Sequence, residues 1–173
     1  TLRAATQALS ATLDLPQLLE LILSELQKVV PYDSASVQQL LGEQLEIIGG
    51  RGFPNLNELL GVCFNPAADD NPNGRVLRSR EPLILGDAPE IYAEFHRGPH
   101  GQAGIRSWLG VPLLLGDRVI GMIALDKREP WFYTREHARM AQAFAPQAAI
   151  AIENARVFAQ EEQRATALAK ALE

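Results

Sequence analysis

Two apolar runs decide the fold of this chain: Ile105-Arg-Ser-Trp-Leu-Gly-Val-Pro-Leu-Leu-Leu115 and Arg118-Val-Ile-Gly-Met-Ile-Ala-Leu-Asp-Lys-Arg128. Gly116-Asp117 lies between them, and such a pair between two β-rich runs predicts a tight antiparallel hairpin. Neither run alternates between apolar and polar residues, which indicates strands that are covered on both faces. We therefore expect two inner strands of a sheet, and inner strands set the register of their neighbours.

The N-terminal part of the chain predicts helices followed by a second hairpin. Leu2–Leu13 has near-helical apolar spacing, and Asp14 with Gln17 forms a capping-box pattern for a helix that Pro31 ends. The core-facing stripe of that helix is Leu15, Leu18, Leu19, Ile22, Leu26 and Val29. The hairpin is predicted from Ser34–Leu41 and Leu45–Arg51, which flank Gly42-Glu43.

The middle of the chain predicts short elements. They are an edge strand at Gly61–Phe64, a helix from Asn71-Pro72 to about Arg80, a strand at Pro82–Leu85, a brief helix at Pro89–His96 and a loop at Arg97–Gly101.

The C-terminal part predicts one long helix that Thr134 caps, with a kink but no break at Pro146. Its small and apolar residues form a near-heptad seam that Glu162 interrupts: Phe144, Ala148, Ala151, Ala155, Phe158, Ala165, Ala169 and Leu172. Up to about Ala155 the seam can pack on the sheet. Beyond Phe158 the domain runs out of surface, so the polar end should project and needs a partner helix or a following domain to stay rigid.

Composition describes an ordinary globular domain. The chain has 173 residues, 47% of them hydrophobic and 21% charged, with a net charge of −5. That charge argues against a nucleic-acid surface, and the apolar runs fall far short of the roughly 20 residues that span a bilayer. One cysteine excludes an internal disulfide. Because the chain begins at Thr1 rather than Met, we expect a piece of a longer cytoplasmic protein without membrane contact in this domain.

No catalytic constellation is visible, so we expect this domain alone not to be an enzyme. His96 and His100 have the spacing of two ligands on one helix face, but Gly98 and Pro99 between them argue against that helix and against a metal. Cys63 lies in an apolar context, which predicts a buried, inert thiol.

Three motifs together resemble a GAF domain. They are Ile105-Arg-Ser-Trp-Leu-Gly-Val-Pro-Leu113, Arg118-Val-Ile-Gly-Met-Ile-Ala-Leu-Asp126 and Gln147-Ala-Ala-Ile-Ala-Ile-Glu-Asn-Ala155, and the upstream Gly74-Arg-Val-Leu-Arg-Ser-Arg-Glu-Pro82 fits as well. The resemblance covers nearly the whole chain and is nearest to GAF modules of bacterial multidomain signalling proteins, especially sensor histidine kinases.

The resemblance implies an α+β, PAS-related fold. A central antiparallel sheet of five or six strands would carry the N- and C-terminal helices on one face and short helices and loops over the other. Residues 1–13 would be a linker or dimer helix, 14–158 the GAF domain and 159–173 a linker helix to an output domain. A ligand cavity is expected under the short helices, and its candidate lining is Phe64, Leu77, Phe95, His96, Arg106 and Trp108.

The better-defined chemistries of the family match this sequence poorly. The cyclic-nucleotide motif of the family is reduced to Lys127 and Phe132, and bilin attachment lacks a cysteine beside His96 and His100, although Cys63-Phe64 partly resembles a second attachment motif. One cysteine cannot complete the disulfide relay of GAF-type methionine sulfoxide reductases.

We expect a cytoplasmic, homodimeric sensing domain of a two-component histidine kinase that takes part in a phosphorelay. Its effector is a small molecule of unknown identity, no cofactor is assigned, and the terminal helices form the dimer. The alternatives are a ligandless dimerisation spacer and a bilin- or haem-based photo- or redox sensor.

Overall fold

A computed structural model describes residues 14–172, and a single antiparallel sheet lies at its centre. Its strands are β1 (Ser34–Leu41), β2 (Gln44–Arg51), β3 (Cys63–Phe64), β4 (Leu83–Leu85), β5 (Ser107–Leu115) and β6 (Arg118–Lys127). They are ordered β3-β2-β1-β6-β5-β4, and all neighbours are antiparallel. This confirms the predicted α+β class. The predicted helix Leu2–Leu13 lies outside the described residues.

The helices divide between the two faces of the sheet. They are α1 (Leu15–Gln27), α2 (Leu56–Leu59), α3 (Asn73–Ser79), α4 (Gly98–Gln102) and α5 (Arg135–Ala171), with 3-10 turns at Ala88–Glu90 and Ala93–His96. The long helices α1 and α5 share one apolar core with the sheet. The short elements share a second core with the opposite face.

The β5–β6 hairpin is buried on both faces, as its uniform apolarity predicted. Ile123 and Leu125 of β6 belong to the core under α1 and α5, whereas Met122 and Ala124 belong to the other core. Because successive side chains of a strand point to opposite faces, a strand between two cores has no solvent-facing positions. The sequence therefore shows no alternation of apolar and polar residues, although successive side chains point alternately into the two cores.

Helix α1 begins as predicted but ends earlier. The Asp14 side chain accepts a hydrogen bond from the backbone N–H of Gln17, and the Gln17 side-chain oxygen accepts one from the backbone N–H of Asp14, which completes the capping box. The helix stops at Gln27, and Val29 is exposed rather than part of the buried stripe. The residues after Gln27 form the turn that leads into β1. In this turn Tyr32 is buried, and its hydroxyl donates to the carbonyl of Leu23.

Two predictions for the short elements on the other face are wrong. Helix α3 begins at Asn73 instead of Pro72, because the side chain of Asn71 holds the N–H of Asn73 in a turn before the helix. The expected loop Arg97–Gly101 is instead mostly helical, because α4 begins at Gly98 and ends at Gln102. Proline in the first turn of a helix gives up an N–H that would be unpaired anyway, so Pro99 does not prevent the helix.

Helix α5 confirms the predicted long C-terminal helix. Thr134 accepts from the N–H of His137, and the helix runs without a break through Pro146 to Ala171. Its length is roughly 55 Å at 1.5 Å per residue. Every residue of its outer part, from Arg156 onward, is exposed. The bend at Pro146 stays a prediction.

The approach of β6 to β1 yields a stability prediction at Gly121. A Cβ there would lie 2.0 Å from the backbone oxygen of Gln38, so Gly121→Ala must separate two inner strands. We expect it to lower the free energy of unfolding by several kcal/mol, in the range of severe core changes. Gly42→Ala is the control. An added Cβ at Gly42 would meet no atom within 4 Å, so the substitution should cost only about 1 kcal/mol for placing alanine at a φ of 62°. Urea denaturation giving equal losses would contradict the close approach.

Candidate functional site

A small cavity lies on the sheet face opposite α1 and α5. Its lining comprises Ser36, Gln38, Phe64, Asn71, Pro72, Asn73, Glu94, Phe95, His100, Trp108, Ala124 and Asp126. The free volume inside is about 20 Å³, which is room for about one water molecule. The cavity is therefore closed to larger molecules in this conformation.

The register of three strands builds the cavity floor. Ser34, Asp126 and Trp108 are paired across β1, β6 and β5, and Ser36, Ala124 and Gly110 form the next row. All three side chains of this second row are small, which leaves a hollow above the sheet. A Cβ on Gly110 would lie 2.3 Å from the indole of Trp108, so this glycine gives the ring its place.

Aromatic rings form the walls. Phe95 meets Trp108 edge to face at 6.2 Å between ring centres, and His100 meets Phe53 and Phe64 in the same way at 5.9 and 5.4 Å. Such pairs stabilise packing beyond the apolar area that they bury. Burial of His100 lowers its imidazole pKa to about 4, so the ring is neutral at physiological pH.

Asp126 is the acidic residue of the floor. Its carboxyl is almost completely buried and accepts one hydrogen bond, from Ser34 Oγ to Oδ2 at 2.9 Å. Desolvation raises the carboxyl pKa to about 7; the hydrogen bond from Ser34 lowers it and the nearby Asp33 raises it. The Asp126 carboxyl is thus divided between its two protonation states near neutral pH.

Surface ion pairs help to hold the cover of the cavity, which consists of the 3-10 turn at Ala93–His96 and α4. Arg97 bonds to Asp70 and Glu94, and the backbone N–H of Glu94 donates to the carbonyl of Asp70 at 3.0 Å. Exposed pairs of this kind contribute only about 0–1 kcal/mol each. These pairs fasten the 3-10 turn at Ala93–His96 to the loop before α3, while the buried rings of Phe95 and His100 hold the 3-10 turn and α4 against the cavity walls.

The structure brings together three of the six predicted lining residues. Phe64, Phe95 and Trp108 line the cavity. Leu77 packs in the surrounding core, and exposed His96 contacts the carbonyl of Pro89 at 2.7 Å. Arg106 forms a bidentate salt bridge to Asp87, with distances of 2.8 and 2.6 Å, on the outside. Whether any of the six binds a ligand stays a prediction.

The polar residues of the floor were absent from the predicted lining. Ser34, Ser36 and Gln38 follow one another at every second position of an otherwise apolar part of β1, and Asp126 closes the apolar run of β6. Polar residues at a spacing of two within a strand share one face. That spacing was the available signal, and it points to a polar patch under the short helices.

The expectation of a buried thiol at Cys63 is wrong. Cys63 and Phe64 alternate across the edge strand β3, so the aromatic ring points into the core and the thiol is exposed. His96 lies outside α4, which contains His100, so the two histidines do not share one helix. Within residues 14–172 no three His, Cys, Asp or Glu side chains are grouped for a metal.

The surviving residues of the cyclic-nucleotide motif have structural contacts. Lys127 Nζ lies 3.4 Å from Asp33 and 4.7 Å from the centre of the Phe132 ring. The backbone N–H of Arg128 also donates to Asp33, at 2.7 Å. These contacts fasten the end of β6 beside β1 and do not involve the cavity lining.

This arrangement places the chain in the class of small α+β domains that cover a polar hollow on one face of an antiparallel sheet. Comparison with known families then identifies it: the chain belongs to the GAF domain family, whose model matches residues 12–153. The family is one of sensing and signalling domains.

Solved GAF structures share the fold over most of their length. One is the GAF domain of a phosphoenolpyruvate-protein phosphotransferase from Coxiella burnetii, with a TM-score of 0.75 and 23% identity over 92% of this chain and 94% of that one. Another is the phycoerythrobilin-bound GAF domain of a cyanobacterial phytochrome, with a TM-score of 0.68 and 17% identity over 90% and 94%.

A third similar structure comes from a signalling protein. It is a domain of a protein from Sinorhizobium meliloti that is assigned as a two-component sensor histidine kinase, with a TM-score of 0.59 and 19% identity over 83% of this chain and 94% of that one. At these identities the likeness shows the fold. No curated protein matches the chain.

Among the helices between residues 14 and 172, none combines the length and apolarity needed to cross a bilayer.

Asp126 and His100 predict opposite pH effects on stability. The Asp126 carboxyl has a folded pKa of about 7 against an ordinary 3.8, so its contribution is greatest below pH 3.8 and is lost as pH rises to about 7. The His100 imidazole has a folded pKa of about 4 against 6.5, so its contribution is full above pH 6.5 and is lost as pH falls to about 4.

Single replacements should therefore separate the two effects. For Asp126→Asn, we expect the free energy of unfolding relative to the parent to rise from pH 4 to 7, since the variant lacks the burial penalty of the carboxylate. For His100→Phe, that difference should fall from pH 4 to 6.5. Urea denaturation across this range measures both, with Asp117→Asn in the β5–β6 turn as the control. Differences that do not change with pH would show that neither group has a shifted pKa.

Proposed function

We propose that this chain is the ligand-sensing and dimerisation domain of a bacterial signal-transduction protein, of the two-component sensor histidine kinase type. Residues 14–158 form the sensory unit, 1–13 a linker or dimer helix and 159–173 a helix toward an output domain. The cavity takes a small-molecule effector, and the parent protein works in the cytoplasm.

One observation carries this proposal: a single helix joins the sheet to the outside of the domain. The inner part of α5 packs on the sheet with Ala148, Ala149 and Ile152 buried, and the same helix continues fully exposed from Arg156 to its end. A change in the cavity that shifts the sheet against α5 can move the exposed end as a rigid lever. Packed helices often switch between discrete arrangements, which suits a signal path.

The exposed end of α5 suits a second copy of the chain. Phe158, Leu168 and Leu172 are large apolar side chains with 62%, 62% and 80% exposure. Phe158 and Leu172 lie two heptads apart with Ala165 and Ala169 between them on the seam, and Leu168 lies directly beside it. A parallel pair of such helices would bury these side chains against one another. The kinase-type neighbour from Sinorhizobium meliloti supports the signalling context.

The small free volume favours one alternative, a ligandless dimerisation spacer. A cavity of about 20 Å³ holds a water molecule and nothing larger without movement of the cover. Native mass spectrometry of the protein purified from its host separates the two functions. A bound small molecule supports sensing, and a mass equal to the bare chain supports the spacer. The outward thiol of Cys63 gives a bilin sensor little support.

The dimer is tested by Phe158→Glu, which puts a charge in the apolar seam. We expect the dimer dissociation constant to rise at least about tenfold, equivalent to about 1.4 kcal/mol, while the sheet core stays folded. Analytical ultracentrifugation measures the association, and circular dichroism monitors the fold. Gln163→Glu adds a charge on the opposite face of the same helix and is the matched control. A monomeric parent at high concentration, or a variant as dimeric as the parent, contradicts the seam.

A further inference from the structure

Two buried acceptor atoms in the cavity have no partner. They are Gln38 Oε1 and Asp126 Oδ1, and they are the buried side-chain atoms that lack a hydrogen bond within residues 14–172. Both side chains are 2% exposed, and both residues line the cavity. Buried polar atoms are paired in the great majority of cases, and leaving one unpaired costs about 1–3 kcal/mol. Two such atoms at one cavity indicate a missing donor.

The charges around the cavity determine which ligands it can accept. The carboxyl groups of Asp126 and Glu94 line it, and none of its lining residues is Lys or Arg. Two arginines on neighbouring elements are engaged elsewhere, Arg97 with Asp70 and Glu94, and Arg106 with Asp87. An anion would therefore meet carboxyl groups without a counter-charge, whereas a cation would neutralise Asp126. With its pKa near 7, this carboxyl can ionise when a cation binds beside it.

The aromatic lining of the cavity favours a flat molecule, which can pack against the rings. Its floor has a row of small side chains, and aromatic rings of Phe64, Phe95, His100 and Trp108 stand around it. Gln38 pairs with Met122, which lies four residues before Asp126 in β6, so the backbones of Gln38 and Asp126 are roughly 13 Å apart along the floor. The side-chain amide of Gln38 turns toward Asp126, and its Nε2 donates to Ser36 Oγ at 3.4 Å. Ser36 and Ala124 lie between the two unpaired acceptors on the floor, so a molecule held above this pair would lie between Gln38 and Asp126.

We propose that the cavity binds a small planar molecule with N–H donors, an amidine, guanidine or amino-heterocycle in neutral or cationic form, that donates to Asp126 Oδ1 and Gln38 Oε1. This assignment rests on the proposed sensing function and specifies its ligand class. Binding requires the cover to move outward, which breaks the exposed pairs of Arg97 and part of the packing of Phe95 and His100. In the absence of such a ligand, a water molecule can occupy the free volume.

The test uses two flat probes of nearly equal size and opposite charge, benzamidine and benzoate. Each is titrated into the 173-residue chain, and binding is followed by protein-observed NMR. We expect benzamidine to bind and to perturb β1, β6 and α4, with benzoate at least about tenfold weaker, as expected for the gain or loss of one charge-assisted hydrogen bond. Because this comparison uses the parent chain alone, it does not depend on the folding of any variant.

Variants then locate the binding atoms. Asp126→Asn should weaken benzamidine by about tenfold or more, and Gln38→Leu should weaken it by a smaller factor. Asp117→Asn, which removes the same charge from an exposed turn, should leave the affinity unchanged. Equal affinity for the two probes, or a loss that is the same for Asp117→Asn and Asp126→Asn, overturns the assignment.

The mass spectrum of the host-purified protein separates this inference from the proposed function. A bound molecule that is an anion or lacks N–H donors leaves sensing intact and overturns the ligand class. A bound amidine, guanidine or amino-heterocycle supports both. Absence of any bound molecule together with no binding of either probe overturns both, and leaves the cavity as the site of a structural water.

Discussion

Burial of β6 on both faces is the constraint on which the rest of the structure depends. Ile123 and Leu125 pack under α1 and α5, while Met122 and Ala124 pack under the short helices. This alternation fixes the position of Asp126, since its side chain must share a face with Met122 and Ala124. A slip of one residue would place the carboxyl among the apolar side chains of the long helices, which gives the register a strong energetic preference. The same strand therefore sets both the packing and the chemistry of the site.

The two layers have different mechanical properties. The layer of α1 and α5 consists of long, capped helices with a continuous apolar core. The opposite layer consists of helices and 3-10 turns of three to seven residues, with exposed ion pairs at the loop that meets them. Local opening costs least where few apolar contacts are lost. The cavity thus lies between a sheet that long helices support and a layer of short elements.

The sequence predicted the sheet better than the site, for a physical reason. Gly116-Asp117 and Gly42-Glu43 are local signals, because turn geometry is determined by adjacent residues, and both hairpins are confirmed. Asp14 and Thr134 as helix caps are local in the same sense. Ser34 and Asp126 became neighbours only through the pairing of β1 with β6, across some 90 residues of chain. Arg106 was predicted to line the cavity but pairs with Asp87 on the outside. Asp87 precedes a 3-10 turn whose position no local sequence pattern specifies.

A direct measurement of the Asp126 carboxyl tests the central claim that double burial of β6 puts an ionisable group in the floor of the cavity. Carbon-detected NMR of the aspartate carboxyl groups, with pH varied from 3 to 9 and Asp126→Asn to assign the resonance, reports its pKa in the folded chain. We expect this one carboxyl to titrate near pH 7, because burial raises its pKa to about 7. A titration near the ordinary 3.8 would contradict the claim, since it would mean that water or a cation already reaches Asp126.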